Sequence, residues 1–221
     1  MNKLLENVLN YIYPQRCPLC GEVTGKASFC ESCIIGLEQE PQSLKSVLQK
    51  LPNTFVDEYY ACAEYVGAVK KGLHRLKFEN ANILLPAFAQ KMVDIVSQQN
   101  TENAIIIPVP QSEKRKKETS VHLPKELSQY IGKNLGLEVE NSVLVKVKNT
   151  RVQHSLTRQE RLKNLENAFA VQKAERIKDK TIILCDDIVT TGATLTECAK
   201  VLKKYKAERV LAICFAATPF D

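Results

Sequence analysis

The chain has 221 residues, 44% hydrophobic and 25% charged, with a net charge of +6. These are the fractions of an ordinary globular protein, without low-complexity tracts, and the longest apolar runs fall far short of the about 18 residues of a membrane span. The charge permits an anionic partner without requiring one, and Glu6 and Asn7 stand where a signal peptide needs an apolar core, so a cytoplasmic location is expected.

From the amino terminus, Leu4, Leu5, Val8, Leu9 and Ile12 recur at helical spacing, and Pro14 stops the pattern. Next come Cys17-Pro-Leu-Cys20 and Cys30-Glu-Ser-Cys33, separated by nine residues. Paired C-x2-C units in a cytosolic chain read as tetrahedral zinc ligation, and a hairpin of that length brings both pairs together. Four protein ligands leave no open position, so such a zinc supplies folding energy rather than chemistry. A redox pair is the alternative, but it usually needs only one C-x-x-C. Cys62, Cys185, Cys198 and Cys214 fall singly in apolar or helical segments and read as small buried hydrophobes. Residues 35–56 are polar and proline-punctuated. The expected division is an amino-terminal helix and four-cysteine knuckle over 1–40 and a main domain over 55–221.

In the main domain, Tyr59 to Tyr65 reads as a strand, and Gly67 opens a helix through Leu73, Leu76 and Phe78. A further helix is expected over 82–98 and a strand over Ala104 to Pro108. A basic loop, Lys114-Arg-Lys-Lys117, precedes a helix over 122–135. Ser142 to Val147 reads as a strand, 157–166 as a helix, and Ala168 to Val171 as short and extended. Arg209 to Ala216 is expected to close the sheet. Strands alternating with helices imply an α/β fold, a parallel sheet with right-handed crossovers.

The most telling segment lies between the last two strands: Thr181-Ile-Ile-Leu-Cys-Asp-Asp-Ile-Val-Thr-Thr-Gly-Ala-Thr194. The unbroken apolar run Ile182 to Cys185 fits a strand buried on both faces. It ends in two adjacent carboxylates, Asp186 and Asp187. Thr190, Thr191, Gly192, Ala193 and Thr194 then lead into a helical pattern. In open α/β sheets ligands bind outside the carboxyl ends of the strands, and a helix start there offers N–H groups and a positive dipole end to a phosphate. Neighbouring acids can accept hydrogen bonds from vicinal sugar hydroxyls. The plainer reading is a strand followed by an Asp- or Thr-capped helix.

Ile182 to Thr194 closely resembles the phosphoribosyl pyrophosphate (PRPP) loop of type I phosphoribosyltransferases: four apolar residues, two acids, a short link and Thr-Gly-x-Thr. Two further segments resemble the ComF family of competence and DNA-utilisation proteins. Thr150 to Phe169 follows its T-x-x-Q-x-x-L-x-x-x-x-R-x-x-N-x-x-x-A-F pattern, and the four cysteines match its amino-terminal cluster. The resemblance covers nearly the whole chain. It implies a parallel-sheet, type I phosphoribosyltransferase-like domain with a small zinc-binding knuckle, structural Zn2+, and PRPP bound with Mg2+.

The same resemblance gives the residues their roles. Asp186 and Asp187 would hold the ribose 2- and 3-hydroxyls, and 190–194 would wrap the 5-phosphate. Removing both acids should then abolish binding with stability nearly unchanged. Lys77 matches a family lysine that can contact pyrophosphate, although a solvated helix lysine is the default. Arg151 and Gln153 lie in a loop that can close over the sugar, and surface charge explains them equally well. His122 and His154 read as solvated loop histidines. The pyrophosphate loop departs from the family, since Lys117 to Leu123 lacks its Arg-Gly and has Ser120 at the glycine position. Thr190, where some relatives carry an acid, cannot serve as general base.

Three functional readings result. The first is a ComF-type competence protein that binds PRPP and assists handling of incoming single-stranded DNA alongside other competence proteins. The second is an active phosphoribosyltransferase on a base or amine, and the third a zinc nucleic-acid-binding adaptor without nucleotide chemistry.

Overall fold

The structure is a computed structural model that describes residues 14–24, 29–38, 55–79, 81–112, 117–119, 121–148 and 164–219. In chain order its elements are helix α1 (Glu31–Glu38), strand β1 (Glu58–Glu64), α2 (Gly67–Phe78), α3 (Leu85–Ser97), β2 (Ala104–Pro108), α4 (Leu123–Leu135), β3 (Glu138–Val139), β4 (Leu144–Lys146), β5 (Phe169–Val171), β6 (Thr181–Val189), α5 (Ala193–Lys204) and β7 (Arg209–Ala217). The helix expected over 2–13, the basic residues 114–116, and Arg151, Gln153 and His154 lie outside the described residues.

Five strands form one sheet in the order β1-β7-β6-β2-β3, every neighbour pair parallel. β6 therefore runs up the centre, and its apolar run serves two cores because side chains alternate between faces. Ile182 and Leu184 pack under α5 with Leu195, Cys198, Ala199 and Leu202. Ile183 and Cys185 pack on the other face, with Leu73 and Leu76 of α2, Phe88 and Met92 of α3, and Leu127 and Ile131 of α4. There the Phe88 ring stacks on Phe215 of β7 with centroids 4.0 Å apart. Burying each such large side chain stabilises by about 1.5–3 kcal/mol.

Three expectations change in the folded chain. β7 does not close the sheet but lies between β1 and β6, and its eight buried residues after Arg209 reflect cover on both faces. The strand expected over 142–147 is only Leu144–Lys146, and it leaves the main sheet to pair antiparallel with β5. The expected helix over 82–98 begins with a 3-10 turn, Asn82–Leu84, and becomes α-helical from Leu85 with a proline in its first turn. That proline has no N–H to give, so it sits where none is required. β3 was not anticipated: two residues are too few for a periodic signal. No described helix is long and apolar enough to cross a membrane.

Candidate functional site

Asp186 and Asp187 sit at the upper end of the central strand, which continues to Val189. Alternation sends their side chains to opposite faces. Asp186 belongs with Leu184 on the α5 side, where its charge is felt by Cys198 and Cys214 and helps, after burial, to raise both thiols well above their ordinary range. Its Oδ1 accepts the Asp187 N–H at 2.8 Å. Asp187 belongs with Cys185 on the α2 side and is only 6% exposed.

Beyond Val189 the chain bends sharply. The end of β7 fixes this bend: the Thr218 N–H donates to the Val189 carbonyl at 2.9 Å and its hydroxyl to the Thr190 carbonyl at 3.2 Å. Gly192 then takes φ 73°, a conformation that a side chain disfavours, and starts α5. Thr191 Oγ1 accepts the Ala193 N–H at 3.4 Å, and the Gly192 carbonyl takes the Thr196 N–H at 2.9 Å. The N–H groups of Thr191, Gly192 and Thr194 have no acceptor among the described residues. A bend with open donors at the positive end of a 12-residue helix is an anion-binding geometry.

Lys77 departs from the solvated helix lysine that is the default for its sequence position. It is 8% exposed, and its Nζ lies 2.7 Å from Asp187 Oδ2. Gly67 and the proline-free run to Phe78 carry α2 across the top of the sheet, and Leu73 and Leu76 bury in the core below it. Lys77 follows Leu76 on the face that overhangs the strand ends. His122 is likewise engaged, its Nε2 lying 3.0 Å from the Val109 carbonyl at the start of α4. Lys117 and Glu118 form a helical turn, and Ser120 lies outside the described residues.

One contributor has no motif signal. Register places Tyr59 of β1 level with Ala212 and Leu184, one pleat below Asp186. Its hydroxyl is buried without a hydrogen bond of normal geometry among the described residues. Burial, then the Cys214 thiol and the Asp186 carboxylate, hold the phenol well above its usual range. It therefore stays protonated. Only the parallel pairing of β1 with β7 brings it beneath the acid.

The cysteine cluster forms a second site. The Sγ atoms of Cys17, Cys20, Cys30 and Cys33 all lie within 4.8 Å of one another, with Cys20 and Cys30 at 3.6 Å. A tetrahedral zinc with sulfurs at about 2.3 Å requires them about 3.8 Å apart, so the cage fits that ion. An Arg16–Val23 antiparallel bridge and Gly21 at φ 82° make the tight turn, which aims the Glu22 N–H at Cys20 Sγ at 3.4 Å. Burial pushes the Cys17 thiol up, but backbone hydrogen bonds from Cys20, Cys30 and Leu19 outweigh it and bring it down to about 6. Burial and the neighbouring sulfurs drive Cys33 the other way. A dication at the centre of the cage would favour the thiolate form of its ligands.

The phosphoribosyl transferase domain profile matches residues 86–220, which include β2, the acid pair and the 190–194 bend. The chain belongs to the phosphoribosyl transferase domain family. The double zinc ribbon domain profile matches residues 8–43, around the four cysteines, and supports a structural zinc there. Among curated relatives, competence protein F of Haemophilus influenzae is 27% identical over 201 residues, covering 88% of this chain and 86% of that protein. DNA utilization protein YhgH of Escherichia coli K12 is 23% identical, covering 91% and 90%. Competence protein ComFC of Bacillus subtilis is 26% identical, covering 88% and 74%. These relatives bear out the ComF resemblance carried by the motifs. Within the transferase fold, the structure places Asp186, Asp187, Thr190 to Thr194 and Lys77 at one end of the sheet.

Proposed function

We propose that the chain binds PRPP, with Mg2+, at the end of β6 and serves the handling of incoming single-stranded DNA in competence, with little or no transferase turnover. The observation that carries the binding reading is the conjunction at one strand end of two acids and a bend of open N–H groups. The acids accept hydrogen bonds from the vicinal ribose hydroxyls. The N–H groups of Thr191, Gly192 and Thr194, with the α5 dipole behind them, take the 5-phosphate. Lys77 brings positive charge to the mouth, so the pyrophosphate end does not meet an uncompensated Asp187.

Turnover needs more than binding. Pyrophosphate must leave as positive charge develops on the sugar, which requires positioned donors on the leaving group. Lys117 to Leu123 lacks the family's Arg-Gly there, and Thr190 supplies no base. The DNA role rests on the competence and DNA-utilization relatives and on the basic run Lys114 to Lys117.

Calorimetry with PRPP and Mg2+, followed by addition of candidate bases and a pyrophosphate assay, tests the proposal. Saturable, Mg2+-dependent binding without pyrophosphate release is expected. Release on adding a base shows a working transferase, and absence of binding refutes the PRPP reading in favour of a zinc adaptor.

A further inference from the structure

The zinc ribbon and the acid pair are distant in sequence, yet both touch α2. The ribbon inserts Leu19, fully buried, against Gly72. A Cβ at residue 72 would lie 2.1 Å from Leu19 Cδ1 and 2.9 Å from Phe88 Cζ, so glycine is the residue that lets the ribbon seat. One turn on, Arg75 Nη1 donates to the Pro18 carbonyl and, at 3.4 Å, to that of Cys17, itself one of the four cage residues. Cys17, Leu19 and Cys33 share one continuous core with Leu73, Leu76 and Phe88. Two residues beyond Arg75, Lys77 reaches Asp187.

The helix between these contacts is poorly self-sufficient. Its N-cap, Val66, makes no side-chain cap bond, its first turn has no acid, and glycines occupy its first position and its middle. Such a helix depends on what packs against it for its place.

We propose that the zinc ribbon is a positioning element for the acid pair: seated on Gly72 and Arg75, it holds α2 where the Lys77 ammonium meets Asp187, and loss of the metal or of that seat releases Lys77. With Lys77 released, Asp187 presents an unbalanced negative charge at the mouth, and a polyanionic sugar phosphate binds more weakly. That last consequence rests on the PRPP reading; the coupling of ribbon to lysine does not. Leu19, Gly72 and Arg75 are thus positioning residues that act through α2.

The test uses the full chain and two independent readouts. Brief acetylation with acetic anhydride, read by mass spectrometry, measures Lys77 against the exposed Lys70 and Lys71 of the same helix. In zinc-loaded protein Lys77 should react about tenfold more slowly than these, as a buried, ion-paired amine. Stripping the zinc, or Leu19→Ala in zinc-loaded protein, which empties the seat without changing α2, should bring it to within about twofold of them. If stripping unfolds the sheet domain, Leu19→Ala decides. Lys77 that stays protected in Leu19→Ala overturns the proposal. The second readout is PRPP affinity. Zinc removal or Leu19→Ala should weaken it about tenfold in the wild type and less than about twofold in Lys77→Met, because the effect runs through that one charge. Equal losses in both backgrounds overturn the route through Lys77. If zinc-loaded wild type binds no PRPP, the PRPP reading falls, and the acetylation result alone decides the coupling.

Discussion

Replacing Lys77 by Met tests whether the lysine and Asp187 form a buried pair in solution. With Nζ and Oδ2 2.7 Å apart and side chains 10% and 8% exposed, the pair sits where water screens weakly. At an effective dielectric of about 20, the gross attraction is about 6 kcal/mol. Desolvating both ions offsets most of it, so the informative quantity is the loss when one partner goes and the other stays buried and charged, about 3–5 kcal/mol. Lys77 has a further interaction besides Asp187, so we expect the low end, about 3 kcal/mol. For a chain of this size that lowers Tm by about 6–12 °C.

Lys77→Met with Asp187→Asn replaces two charges by two neutral groups of similar shape and should lie within about 1 kcal/mol of wild type, about 2 kcal/mol more stable than Lys77→Met alone. Thermal and urea unfolding followed by circular dichroism measure all the variants. If Lys77→Met unfolds within about 0.5 kcal/mol of wild type, the usual range for an exposed substitution, the pair does not hold in solution. The buried pair overturns the expectation from the motif alone that both acids can go without loss of stability. Asp187→Ala strands a buried ammonium and should destabilise as Lys77→Met does.

Asp186→Ala, by contrast, should abolish the PRPP binding heat while Tm changes by no more than about 2 °C, since it removes a partly exposed acid; retained binding would exclude Asp186 from the site. Metal analysis should find one zinc per chain, and Cys30→Ser should lose it and open the amino-terminal segment to proteolysis while the sheet domain resists; disulfides in a reduced sample would refute the cage. Gly192→Ala should weaken PRPP binding and cost about 1 kcal/mol, because its φ of 73° lies in the left-handed region; an unchanged affinity would show that the bend does not take the phosphate. Single-stranded DNA should bind with a log–log salt slope of about −0.7 per phosphate neutralised, and replacing Lys114, Arg115, Lys116 and Lys117 by Ser should flatten it; an unchanged slope removes that loop from the interface.

Much of the molecule was legible from local pattern alone. The run from Ile182 to Cys185 announces a strand covered on both faces, because only a central strand can bury consecutive apolar side chains. The helix opened by Gly67 and ended near Phe78, and the cage of two C-x2-C units, are likewise set by residues within one or two turns of each other. Spacing of that kind survives in sequence because the interactions behind it are short-range.

What needed the tertiary structure are the contacts between residues far apart in the chain. The sheet order puts β7 inside rather than at an edge, and sets β4 and β5 apart in a two-stranded antiparallel sheet of their own. The partners of Lys77 and Gly72 lie on other elements, at Asp187 and Leu19, so a lysine that reads as solvated becomes buried and a mid-helix glycine becomes a seat. Tyr59 reaches the neighbourhood of Asp186 only because two parallel strands align them. The sequence names the acids and the sulfurs through local spacing; which lysine balances an acid, and what holds that lysine in place, is decided by packing across the whole chain.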